Sequence, residues 1–210
     1  GKTIEAGLIT TELITQRRIR RILIVCPASL QLQWQEEMHD KFNLDFAIMD
    51  RDEIFRIQRE LGVDTNPWMT APHIITSMDY LRQPDVLERF RIASRNLTPE
   101  ESGMLPWDLL IVDEAHNLSP GSFNDESYRC RMLREIISHT EHRLFLTATP
   151  HNGFTPSFTG LLEVLDPLRF KQAAEIEDED REHIKAIMVR RMKSELNVTE
   201  NKRFPERYIK

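Results

Sequence analysis

The sequence predicts an α/β fold, a mainly parallel β-sheet covered on its faces by helices, and three observations predict it. Five short apolar runs rich in β-branched residues alternate with longer segments of helical period, the pattern of successive β-α-β units. Each run has the length and near-continuous hydrophobicity of a strand buried on both faces. A length of 210 residues gives one such domain a sizeable core, and leaves little room for a second.

Taken in order, residues 2–16 read as a helix and residues 21–27 (RILIVCP) as the first strand. A helix over 30–42 leads to a strand at 45–50, and a helix over 51–61 follows. Residues 62–72, with Gly62, Asn66, Pro67 and Pro72, form a loop into the strand 73–77 (HIITS). A polar helix and an irregular stretch at 96–106 precede the strand 108–113 (DLLIVD). Residues 125–138 then read as a helix, 143–148 (RLFLTA) as the last strand and 158–165 as a helix. After Pro167 the pattern changes to an acidic start at 175–182 (EIEDEDRE), a basic end at Arg190, Arg191 and Lys193, and a tail containing Pro205. The expected division is therefore a domain over 1–167 and a helical linker, or the start of a following segment, over 168–210.

Hydrophobic residues make up 40% and charged residues 30% of the chain, the balance of an ordinary soluble protein. No apolar run is long enough for a membrane span and the first residues lack the pattern of a secretion signal, so the expected location is cytoplasmic with no membrane partner. Cys26 and Cys130 have no metal-type spacing and read as free thiols. The net charge of −6 does not by itself favour a nucleic-acid partner. Its distribution is uneven, with Arg17, Arg18, Arg20 and Arg21 in one basic run whose plainest reading is a solvated face.

Three segments carry chemistry. Gly1, Lys2 and Thr3 stand at the start of the first helix, where a phosphate loop needs a lysine for the β- and γ-phosphates and a hydroxyl for magnesium. The tripeptide alone is too common to mean anything. Asp113 and Glu114 end an apolar strand and open the sequence DEAH, at the edge where an α/β sheet presents its ligands. In this reading Asp113 holds magnesium and Glu114 polarises the water that attacks the γ-phosphate; a cap on the following turn is the plainer reading of Asp-Glu alone. His116 has no histidine or cysteine partner at metal-binding spacing. Thr147 and Thr149, in TATP, end another apolar run and offer two hydroxyls to the acidic pair, or merely mark a strand-to-loop turn. Order and placement give the three weight together.

On these motifs the chain resembles the superfamily 2 helicases, and within them the Swi/Snf-type DNA translocases, in the bacterial branch typified by the RNA-polymerase-recycling ATPase RapA (HepA). GKTIEAGL is similar to the end of motif I, ILIVCPASLQLQWQEEM to motif Ia, IITSMDYL to motif Ib, DEAH to motif II and LTATPHNG to motif III. SFTGLLEVLDPLRF and VRRMKSEL…FPER resemble the segments that follow in that branch. The resemblance implies a three-layer, RecA-like lobe of a phosphate-loop ATPase that binds ATP and Mg2+. It further implies coupling of nucleotide to DNA through His116, Thr147 and Thr149, and duplex contacts from Pro27, Ala28 and Ser29 and from Thr76 and Ser77. Such contacts come largely from backbone N–H and hydroxyl groups, which reconciles the acidic charge with a double-stranded DNA partner. Trp34, in the helix after motif Ia, reads as a packing residue.

The resemblance also marks what lies outside these residues. The chain begins inside motif I, so it reads as a lobe truncated at its N-terminus, with a gap expected in the sheet beside the DEAH strand. A second RecA-like lobe with its arginine finger is the implied partner, and the isolated segment is expected to hydrolyse ATP negligibly. A protein complex on DNA is the implied target of the motor. A restriction-system motor or a strand-separating helicase would carry the same motifs, and a nucleotide-dependent interaction module is the non-catalytic alternative.

Overall fold

The computed structural model describes residues 1–97, 105–120, 128–148 and 155–189, except the side chain of Glu179. Five strands form one sheet: β1 (Ile22–Cys26), β2 (Ala47–Met49), β3 (His73–Ser77), β4 (Trp107–Val112) and β5 (Thr140–Phe145). All neighbours are parallel, in the order β2-β3-β1-β4-β5. The helices are α1 (Lys2–Thr15), α2 (Gln31–Phe42), α3 (Arg51–Leu61), α4 (Met78–Leu81), α5 (Pro84–Leu97), α6 (Tyr128–Ile137), α7 (Thr155–Leu165) and α8 (Asp178–Ile187). Gly1–Ala174 and Glu175–Lys210 form separate compact units, the second described here by α8 and its flanks.

Alternation along the central strands builds the three expected layers. Leu23 and Val25 of β1, Ile74 of β3 and Leu110 and Val112 of β4 join a core with α3, α5, α6 and α7. Their sequence neighbours Ile22, Ile24, Cys26, Ile75, Leu109 and Ile111 join another core with Ala6 of α1 and Trp34 and Met38 of α2. Strands with helices on both faces must be apolar throughout, which is why β1 is ILIVC with every residue buried.

Two expectations need correction. No gap lies beside the DEAH strand: β4 pairs with β1 on one side and β5 on the other, so its backbone groups are shared between two neighbours. The outer positions in the described sheet fall to β2 and β5. The last strand also begins three residues earlier than read and ends at Phe145, because Glu141, His142 and Arg143 lie on this half-exposed outer strand, where polar side chains are tolerated.

The lower end of the sheet is fastened by polar groups. The Asp108 carboxylate accepts the backbone N–H groups of Arg20 and Arg21 at 2.6 and 2.7 Å, joining the starts of β1 and β4. The half-buried Arg21 guanidinium donates to the carbonyls of Trp68 and Ala71 and lies 4.7 Å over the Trp107 ring. Arg21 is thus a structural clamp, whereas Arg17, Arg18 and Arg20 are exposed, as a solvated run requires. Trp68, within the stretch read as loop, is fully buried edge-on to Phe90.

Candidate functional site

The upper, carboxyl-terminal ends of β1, β4 and β5 bring the motif residues together. Pairing continues past β4: Asp113 N–H donates to Val25 O at 2.9 Å, and Leu146 N–H to Val112 O at 2.8 Å. Chain direction then reverses at Glu114, whose backbone is left-handed at φ 48° and ψ 46°. A 3₁₀ turn at Ala115–Leu118 follows, pinned by the fully buried Ala115 and Leu118 and by Ala115 N–H donating to Leu146 O at 2.9 Å. Both carboxylates consequently face the start of α1.

Lys2, the first residue of α1, donates from Nζ to Glu114 Oε1 at 2.7 Å and lies 3.4 Å from Asp113 Oδ1. Asp113 is 5% exposed, an unusual depth for a carboxylate unless donors surround it. Those donors are present: Glu114 N–H reaches Oδ1 at 2.8 Å and the Trp34 indole N–H reaches Oδ2 at 3.0 Å. His116 Nδ1 lies 3.0 Å from Thr147 Oγ1 and 3.3 Å from Glu114 Oε2, so the DEAH turn and the end of β5 meet through one imidazole. Cys26 is buried close by; desolvation, then the Asp113 charge, pushes its thiol up to about 12, leaving it neutral and unreactive.

Gly1 and Thr3 stand beside Lys2 at the start of α1, Gly1 exposed and Thr3 half-buried. Thr149 lies outside the described residues. Ala28 and Ser29 are exposed on a 3₁₀ turn at the upper end of β1, and Pro27 is half-exposed beside them. Thr76 and Ser77 are placed differently. Thr76 is fully buried and its hydroxyl donates to Met49 O at 2.9 Å, while Ser77 caps α4 by accepting Tyr80 N–H at 3.1 Å. Their hydroxyls therefore hold β3 to β2 and begin α4, leaving the backbone of this edge as what it can offer a ligand.

Two participants were not legible in the motifs. Trp34 is 2% exposed, as a packing residue should be, yet its indole also bonds the buried aspartate. Ser119 donates to His116 O at 2.8 Å and lies 2.8 Å from Ser157 Oγ, which fastens α7 to the DEAH turn. The inward spacing of Trp34 and Met38 signals burial, but nothing local signals a partner 79 residues away.

As for a metal, no cluster of three or more His, Cys, Asp or Glu side chains that could hold one exists among the described residues. The donor set instead fits a magnesium ion carried by phosphates, which needs one or two protein oxygens. Asp113, beside Lys2, and Thr3, the next residue of α1, carry oxygens of the type such an ion takes.

Comparison with known proteins gives the family and the fold. The model of the SNF2-related domain matches residues 1–209. The chain is 38% identical over 183 residues to the RNA polymerase-associated protein RapA of Photobacterium profundum, covering 87% of this chain and 17% of that protein. It is also 38% identical over 184 residues to RapA of Yersinia enterocolitica serotype O:8 / biotype 1B, again spanning only 17% of the relative. Among solved structures, the Sulfolobus solfataricus SWI2/SNF2 ATPase core domain superposes with a TM-score of 0.58 at 19% identity, over 94% of this chain and 38% of that one. The same organism's core in complex with dsDNA gives 0.56 at 20% identity, over 80% and 30%. At those identities the likeness establishes the fold.

Proposed function

The chain belongs to the SNF2-related domain family of superfamily 2 ATPases, and on that premise we propose that residues 1–167 are the ATP-binding lobe of a motor that couples ATP hydrolysis to movement along duplex DNA. The observation that carries the reading is the convergence of Lys2, Asp113 and Glu114, with both carboxylates within 3.4 Å of one ammonium at the upper edge of a parallel sheet. That edge is where open α/β sheets bind ligands, and an anion there meets the N-terminus of α1.

In this mechanism the Gly1–Thr3 backbone and Lys2 Nζ bind the β- and γ-phosphates. Asp113 and the Thr3 hydroxyl are the residues that would hold Mg2+, which when bound neutralises charge on the transferring phosphoryl group. Glu114 leaves its contact with Lys2 as the lysine engages phosphate, and its carboxylate orients and accepts a proton from the attacking water. His116 and Thr147, with Thr149, sense that change and relay it towards the DNA-facing edge. There the Pro27–Ser29 backbone and the β3 end at Thr76 and Ser77 contact the duplex. Completion of the site by a second lobe, remodelling of a protein complex on DNA and a cytoplasmic location belong to the same reading.

The test uses the full-length protein with duplex DNA. Glu114→Gln should retain ATP binding and lose ~100-fold or more of DNA-stimulated turnover, the scale of a removed general base. Turnover within a few-fold of wild type would remove Glu114 from the chemistry. Strand displacement on a forked duplex should be absent, and its presence would favour a strand-separating helicase.

A further inference from the structure

Trp34 is the fourth residue of α2, which begins directly after the Ala28–Leu30 turn that exposes Ala28 and Ser29. At its other end the indole meets Asp113, the carboxylate proposed to hold the cation. Asp113 has two oxygens in different surroundings. Oδ1 takes the Glu114 N–H at 2.8 Å and faces Lys2 at 3.4 Å, whereas Oδ2 takes the Trp34 N–H at 3.0 Å.

Left alone, an aspartate carboxylate turns about a broad, roughly two-fold torsion and can present either oxygen. The indole N–H on one oxygen and the Glu114 N–H on the other fix the plane of the group and leave the Lys2 side of Oδ1 open. The indole suits this task because its single N–H can only donate, and because its bulk, held in a core with Met38, Ile111 and Leu109, cannot swing away. Burial of both partners keeps water from competing for the bond. The same side chain belongs to the first turn of the helix that follows the Pro27–Ser29 loop, so displacement of that loop reaches Asp113 through one rigid residue and one hydrogen bond.

We propose that Trp34 is a positioning residue: it orients the Asp113 carboxylate towards the nucleotide-borne divalent cation and links that carboxylate to the Pro27–Ser29 loop. The inference rests on the ATPase reading above. Its test is Trp34→Phe in the full-length protein, which keeps the aromatic ring and removes the N–H. Affinity for a non-hydrolysable ATP analogue is measured with Mg2+ and with EDTA. Loss of a group that orients a metal ligand weakens metal affinity ~10–100-fold, so the gain in nucleotide affinity on adding Mg2+ should shrink ~10-fold while the affinity in EDTA stays unchanged. At Mg2+ high enough to restore binding, stimulation of turnover by duplex DNA should remain several-fold below wild type.

An equal fall in affinity with and without Mg2+ marks a packing role and overturns the proposal. A further fall on adding Trp34→Phe to Asp113→Ala does the same, since an effect exerted through Asp113 has nothing left to act on. An undiminished Mg2+ gain also overturns it, and full DNA stimulation overturns the link to the loop. Failure of the wild-type protein to bind nucleotide would sink the ATPase reading itself, and this inference with it, a result distinguishable from all the others.

Discussion

Gly7 sets how closely α1 lies on α2, and its replacement by alanine is a sharp test of the site's foundations. A Cβ built there would lie 2.1, 2.4 and 2.5 Å from Cε2, Cζ and Cδ2 of Phe42, against an ordinary carbon–carbon separation of about 3.5–4 Å. Either the ring or the helix must give by about 1–2 Å. Alanine favours the helix by about 1 kcal/mol over glycine, and overpacking of this kind costs about 1–3 kcal/mol. The net expectation lies between neutrality and a destabilisation of about 2 kcal/mol, or a fall in Tm of up to roughly 8 °C for a domain of this size. Because Lys2 opens the same helix and reaches Glu114 at 2.7 Å, an α1 displaced by that distance also weakens nucleotide binding. Thermal denaturation and nucleotide titration of Gly7→Ala, Phe42→Leu and the double variant provide the assay. The smaller leucine side chain in place of Phe42 should relieve the clash, leaving the pair at least ~0.5 kcal/mol more stable than the sum of its parts. A neutral or stabilising Gly7→Ala with no coupling to position 42 would refute the close helix contact.

Two further outcomes follow from the same geometry. A Cβ at Gly160 of α7 would lie 2.4 Å from Cγ of Pro120, a ring that cannot rotate aside, so Gly160→Ala should shift the DEAH turn and lower DNA-stimulated turnover ~10-fold or more, read by steady-state kinetics. The Glu135 carboxyl is held below the usual carboxylate range, first by its hydrogen bond from Arg91 Nε at 2.8 Å. With a depressed folded-state pKa, its stabilising contribution is present above the ordinary carboxylate pKa and is lost as pH falls through the folded value. Denaturant titrations between about pH 3 and 5 should therefore show a shallower loss of stability for Glu135→Gln than for wild type.

What could be read in advance was local. β1 announces itself because a strand buried on both faces is apolar at every position, and β3 and β4 because their central residues, Ile74 and Ile75 and Leu109–Val112, follow the same rule between polar ends. The start of the last strand is hidden from an apolar pattern because Glu141 and His142 obey a different rule, that of an outer strand with one face wet. Around Trp68, Pro67 and Gly62 signal irregular backbone correctly but say nothing about burial, and the indole is fully buried. At the site, Lys2, Asp113, Glu114 and His116 were legible because their chemistry lies in short motifs at element ends. Trp34 and Ser157 were not, since each acts through a partner that only folding brings near. Thr76, which the resemblance places among the duplex contacts, has a hydroxyl that the register of β3 against β2 gives to the Met49 carbonyl, a pairing that no local motif carries.

The left-handed backbone at Glu114 has an implication for engineering. Residues with a Cβ are disfavoured in that conformation by about 1–2 kcal/mol, and glycine or asparagine relieves the cost. The chain has three such non-glycine positions among its described residues, Arg17, Asn43 and Glu114. Arg17 is exposed on the turn before β1, and a glycine there is a reasonable stabilising change. The identical substitution at position 114 would relax the fold and delete the carboxylate that meets Lys2. A screen that rewards thermal resistance alone would accept both, and would deliver from the second a sturdier protein whose lysine keeps only Asp113, at 3.4 Å, as a counter-charge.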